Sequence, residues 1–91
     1  MNMKRLKVNG KEIAEKSALH RLVASQLGFP DWYGNNLDAL YDCLTDISEP
    51  TEITVLNKDA LISSLGGYAT AFFNVLRESA AENEDILLNM E

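Results

Sequence analysis

Apolar positions along the chain change their period several times, and each change marks an element. Met3-Lys4-Arg5-Leu6-Lys7-Val8 alternates and runs into Asn9-Gly10, which predicts a short first strand ending in a turn. Apolar residues then recur at Leu19, Leu22, Val23 and Leu27, with polar Gln26 as the exception, so a helix is predicted with Ser17 as its N-cap and Gly28 as its end. Phe29-Pro30 favours extended backbone, and Gly34-Asn35-Asn36 supplies a turn and a cap for a second helix from Leu37 to Thr45. In that helix Leu37, Leu40 and Leu44 share an inward face, Asp38, Asp42 and Thr45 fall in a narrow sector away from it, and Tyr41 lies at the boundary.

After Glu49-Pro50, the β-branched run Glu52-Ile53-Thr54-Val55-Leu56 predicts a second strand. Asn57-Lys58-Asp59 offers a cap for a third helix through Leu65, which Gly66-Gly67 breaks. A fourth helix from Tyr68 to Asn83 has Ala69, Phe72, Phe73, Leu76 and Ala80 as its buried stripe, and Asp85 to Met90 reads as a third strand. Helices in both crossovers favour parallel strands. The expected fold is α/β, a small three-stranded parallel sheet packed with four helices, in a single domain over residues 1–91.

Charge adds a second pattern. The net charge of −6 divides into +4 over residues 1–21 and −10 over residues 22–91, and between Asp31 and Glu52 there are six acids and no Lys or Arg. Such a field repels nucleic acid and attracts basic proteins. No segment approaches the ~20 apolar residues of a membrane span. The basic start, Met1 to Lys7, lacks the apolar stretch of a secretory signal, so a cytoplasmic location is expected.

Candidate chemistry is sparse. Cys43 is the lone cysteine and reads as a small buried hydrophobe, and the single histidine, His20, has no evident partner in Ser17-Ala18-Leu19-His20. No metal site and no nucleophile–base arrangement assembles from these residues. Asp38 and Asp42 stand out because carboxylates at i and i+4 repel by about 0.2–0.5 kcal/mol, a cost that folding gives no reason to bear. As an acid–base pair they would have to flank a cleft, and neighbours on one convex helix face do not.

Pro30, Tyr33-Gly34, Asn36-Leu37-Asp38-Ala39-Leu40 and Asp42-Cys43-Leu44-Thr45, with Asn9-Gly10, Leu19-His20, Arg77-Glu78 and Glu82, resemble the barstar family of ribonuclease inhibitors over almost the full length. The resemblance implies a binding module rather than an enzyme, without cofactor or metal. It implies an intracellular, monomeric immunity protein that plugs the active site of an extracellular guanyl-specific ribonuclease of the barnase type and touches neither nucleic acid nor membrane. The implied contact set is Trp32, Tyr33, Gly34, Asn36, Leu37, Asp38, Tyr41, Asp42, Thr45, Asp46 and Glu78. Asp42 would occupy the phosphate pocket, Asp38 would pair with a neighbouring cation, and Trp32, where the family commonly has tyrosine, would stack on a catalytic histidine. Tyr41 stands where the family often has tryptophan, Asp46-Ile47 where Gly-Trp is common, and Glu84 where a second cysteine is found.

The chemistry agrees with that expectation: a site that holds a phosphodiester is lined with Arg, Lys and His, and a carboxylate accepts from the same donors. Two other roles compete for these residues. Trp32 and Tyr33 could pack over the start of the second helix, and the aspartates could form a merely solvated face. An acidic module capturing a different basic protein, such as an unrelated nuclease toxin or a regulatory target, is the alternative function.

Overall fold

The computed structural model describes residues 3–91. Strand β1 (Lys4–Asn9) leads through a 3₁₀ turn (Gly10–Glu12) to helix α1 (Lys16–Leu27) and helix α2 (Leu37–Thr45). Strand β2 (Thr51–Leu56), helices α3 (Lys58–Leu65) and α4 (Gly67–Glu82), and strand β3 (Ile86–Met90) complete the chain. The sheet has the order β1-β2-β3 with both pairings parallel, Leu6 opposite Ile53 and Ile53 opposite Leu88. The expected α/β architecture is the one observed.

Period-two alternation sends Leu6, Val8, Ile53, Val55 and Ile86 into the core while Arg5, Lys7 and Leu87 stay exposed. The core therefore lies on one face of the sheet, against Leu19 and Val23 of α1, Leu40 and Leu44 of α2, and Phe72 and Leu76 of α4. Gln26, the polar exception in α1, points out of that core, and its side-chain oxygen accepts from the Lys7 backbone N–H at 3.0 Å on the free edge of β1. Gly10 is needed where the 3₁₀ turn meets α3, since a Cβ there would overlap the Asn57 carbonyl and approach Leu61 N to 2.8 Å.

Three local expectations differ from the structure. Helix α1 starts one residue before Ser17, with Glu15 at the N-cap and no side-chain cap bond. The Leu19 N–H donates to the Glu15 carbonyl at 3.3 Å, which closes that first turn in place of a side-chain cap. Asn57 occupies the N-cap of α3 but in a left-handed conformation (φ 56°), and its amide donates to the Asn9 side chain at 2.8 Å instead of capping the helix. In α4 the buried stripe closes on Ser79 rather than Ala80, which is half-buried.

Candidate functional site

The turn before α2 is built by two asparagines. Asn35 takes a left-handed φ of 53°, and Asn36 then caps α2, its side-chain oxygen accepting from Ala39 N at 2.8 Å while its amide donates to the Gly34 carbonyl at 3.2 Å. The far end of the helix is held by Asn83, the C-cap of α4, whose amide donates to the carbonyls of Leu44 (3.0 Å) and Ile47 (2.8 Å). Leu40 and Leu44 anchor the helix with no exposure, and Leu37 is half-buried. Helix α2 is thus fixed at both ends and along its inner face.

Its outer face is acidic. Asp38, Asp42 and Asp46 are all exposed at successive i+4 positions, which rise about 6 Å per step along the axis. Among the described residues the ion pairs are Lys4–Glu49 at 3.1 Å and Arg5–Glu52 at 3.3 Å, so none of the three aspartates is paired with a cation there. Asp38 gains from the helix dipole, whereas Asp46, at the C-cap, opposes it. The stripe is held against its own electrostatics by the packing beneath it.

Trp32 stands beside this stripe with 81% of its surface exposed. A groove of about 510 Å³ runs from Trp32 and Gly34 over Ala39 to Asp42, Cys43 and Asp46. Cys43 is half-buried in its wall, and desolvation followed by the charges of Asp42 and Asp46 raises the thiol pKa, which keeps it protonated and a poor nucleophile. A second groove of about 430 Å³ lies between α2 and α4, where Asp38, Asp42 and Glu78 rim an apolar floor of Leu37 and Val75. Tyr41 borders that groove. The Tyr41 pKa is raised, first by the neighbouring Glu82 carboxylate, which favours the protonated phenol, then by desolvation and by the charges of Glu82, Glu78 and Asp42.

The structure therefore brings Trp32, Gly34, Asn36, Leu37, Asp38, Tyr41, Asp42, Thr45, Asp46 and Glu78 onto one continuous surface around α2. The Thr45 hydroxyl donates to the Tyr41 carbonyl at 2.9 Å, which leaves its oxygen free only to accept. Tyr33 is the most enclosed of the expected set: it lines the groove beside Trp32 but is only 7% exposed, its ring lies 5.0 Å from that of Phe29, and its hydroxyl meets His20. His20, read from sequence as unpartnered, is 1% exposed and bonded through both ring nitrogens, to the Tyr33 hydroxyl at 2.7 Å and the Tyr68 hydroxyl at 2.6 Å. Ala39 and Cys43 were absent from the expected set, yet they line the groove beside Trp32. Their spacing with Asp42 and Asp46 on one helix face was the available signal.

Comparison with known proteins bears on this surface. A family model described as "Barstar (barnase inhibitor)" matches residues 3–90. The chain belongs to the barstar family. A Bacillus subtilis (strain 168) protein named "Putative ribonuclease inhibitor YrdF" is 34% identical over 84 residues, covering 91% of this chain and 92% of that protein. The acidic helix, the exposed loop aromatic and the motif from Pro30 to Thr45 are thus features of a barstar-family chain, and no helix among the described residues is long and apolar enough to cross a membrane.

Proposed function

We propose that this chain inhibits a barnase-type ribonuclease inside the producing cell by filling the enzyme's cationic cleft with α2 and the Trp32 loop. The observation that carries this reading is the row of Asp38, Asp42 and Asp46, rigidly mounted, exposed and without a counter-ion of its own among the described residues. Each carboxylate accepts from the Arg, Lys and His donors that a phosphodiester would otherwise engage, so blockade requires no reaction. Asp42 alone of the three aspartates borders both grooves, which suits the most desolvated pairing. Trp32 supplies a flat apolar anchor beside it, and Glu78 widens the acidic rim from α4. The family and the relative's name support a ribonuclease as target.

The test is a titration of the purified chain into a barnase-type ribonuclease, with RNA cleavage followed continuously. Activity should vanish at one inhibitor per enzyme. Undiminished cleavage at tenfold excess, across the basic ribonucleases of the source cell, would shift the reading to an acidic module with a different basic partner.

A further inference from the structure

His20 lies away from the acidic surface, yet it is tied to the loop that carries Trp32. Three segments distant in sequence meet on its ring: α1 through His20 itself, the loop through Tyr33, and α4 through Tyr68, the second residue of that helix. A neutral imidazole has one donor and one acceptor nitrogen, and burial decides which is which here. The Tyr33 hydroxyl sits in the core and has the His20 ring as its hydrogen-bond partner. If it accepted from the ring, its own proton would be left unpaired, so it donates to Nδ1. Tyr68 is half-buried, and it accepts from Nε2–H and turns its own proton toward solvent.

Adding a proton at Nδ1 reverses this order. Both nitrogens become donors, Tyr33 must turn acceptor, and its hydroxyl proton is orphaned inside the core. The groups facing the ring offer no compensation. They are the Tyr33 and Tyr68 phenols, Lys16 of α1, whose ammonium lies 4.5 Å from the centroid of the Tyr68 ring, and Cys43 of α2 beside Tyr33. Among the described residues no carboxylate lies within 4.0 Å of His20. Burial lowers the His20 pKa from its ordinary 6.5 and raises those of both tyrosines, so the trio is uncharged at neutral pH.

We propose that His20 and Tyr68 are positioning residues for partner binding: the neutral His20 ring latches the Trp32 loop between α1 and α4, and protonation in mild acid undoes the latch and weakens binding. The proposal rests on the ribonuclease-binding reading, and both residues act through Tyr33. Trp32, the one tryptophan of the chain, reports loop motion without any partner. Its fluorescence anisotropy is followed from about pH 8 to about pH 5 in the wild-type chain, in Tyr68→Phe and in His20→Gln, whose amide offers an acceptor and a donor but does not titrate. Dissociation rates from a barnase-type ribonuclease are measured over the same range.

In the wild-type chain the anisotropy falls in a single-proton step below pH 6.5, and dissociation accelerates alongside it. His20→Gln lacks both steps, and because the nuclease's own titrations persist in that variant, the difference between the profiles isolates His20. Tyr68→Phe releases the partner about fivefold faster near pH 8, the equivalent of one hydrogen bond, at an association rate close to wild type. A flat wild-type anisotropy, a His20→Gln profile that superimposes on wild type, or unchanged release from Tyr68→Phe overturns the latch. Should His20→Gln not fold, Tyr68→Phe, which loses a half-exposed hydroxyl, decides alone. A wild-type chain that binds no ribonuclease near pH 8 refutes the functional reading instead, and the partner-free titration keeps the two failures apart.

Discussion

Replacing Asp42 by alanine should move folding and binding in opposite directions. In the free chain the Asp42 carboxylate is exposed, has no cation within 4.0 Å among the described residues, and has Asp38 and Asp46 as i−4 and i+4 neighbours. Removing it relieves two like-charge pairs of about 0.2–0.5 kcal/mol each and adds up to ~0.6 kcal/mol of helix propensity. The variant should therefore be about 0.5–1.5 kcal/mol more stable in a urea melt. On the proposed binding mode, the same truncation would leave a buried cation of the partner unpaired, at a cost of about 2–5 kcal/mol, a range that complexes of this family helped to set. At ~1.4 kcal/mol per decade, Kd should rise about 30- to 4,000-fold, mainly through faster dissociation. Stopped-flow association and dissociation rates together with paired urea melts measure both halves. A variant destabilised by more than ~1 kcal/mol, or one whose Kd rises less than about threefold, would refute the assignment of Asp42 to the partner rather than to the fold.

Trp32→Ala should leave the unfolding midpoint within ~0.5 kcal/mol of wild type, because 81% of the residue is already in water, yet weaken the complex by about 2 kcal/mol, as calorimetric titration would read. Ser79→Ala should stabilise the chain by about 1 kcal/mol in urea melts, since the Ser79 hydroxyl is fully buried and has no hydrogen-bond partner among the described residues. Stability should also depend on His20. Its native pKa is lowered by burial, so the unfolded chain binds more protons below pH 6.5, and the contribution present above that pH is lost as pH falls through the native value. Melting temperatures taken between about pH 8 and pH 5 should show this fall in wild type but not in His20→Gln.

Helix α2 was legible to the residue because three independent signals agreed: an Asn36 cap, leucines at helical spacing and a polar face opposite them. The parallel sheet followed from helices placed between successive strands. The acidic surface was legible for the same reason as the helix, since the side-chain direction of Asp38 and Asp42 follows from period alone. Trp32 and Tyr33 were not separable, because neighbours in a loop have no period to say which faces inward. The His20 site was hidden for a different reason: its partners lie 13 and 48 residues away, and hydroxyl-to-imidazole bonds leave no local pattern. Ser79 escaped notice because serine is small enough to ride inside an apolar stripe.

Asn83 has an influence out of proportion to its place in the chain. Its amide fastens the end of α2, its side-chain oxygen receives the Asp85 N–H at 3.0 Å, and its carbonyl receives that of Ile86 at 3.1 Å, where β3 begins. The tilt of the acidic helix and the start of the last strand are therefore geared together by one residue. Drift at position 83 offers natural variation a way to re-aim the inhibitor toward a differently shaped enzyme while every carboxylate on its outer face stays unchanged.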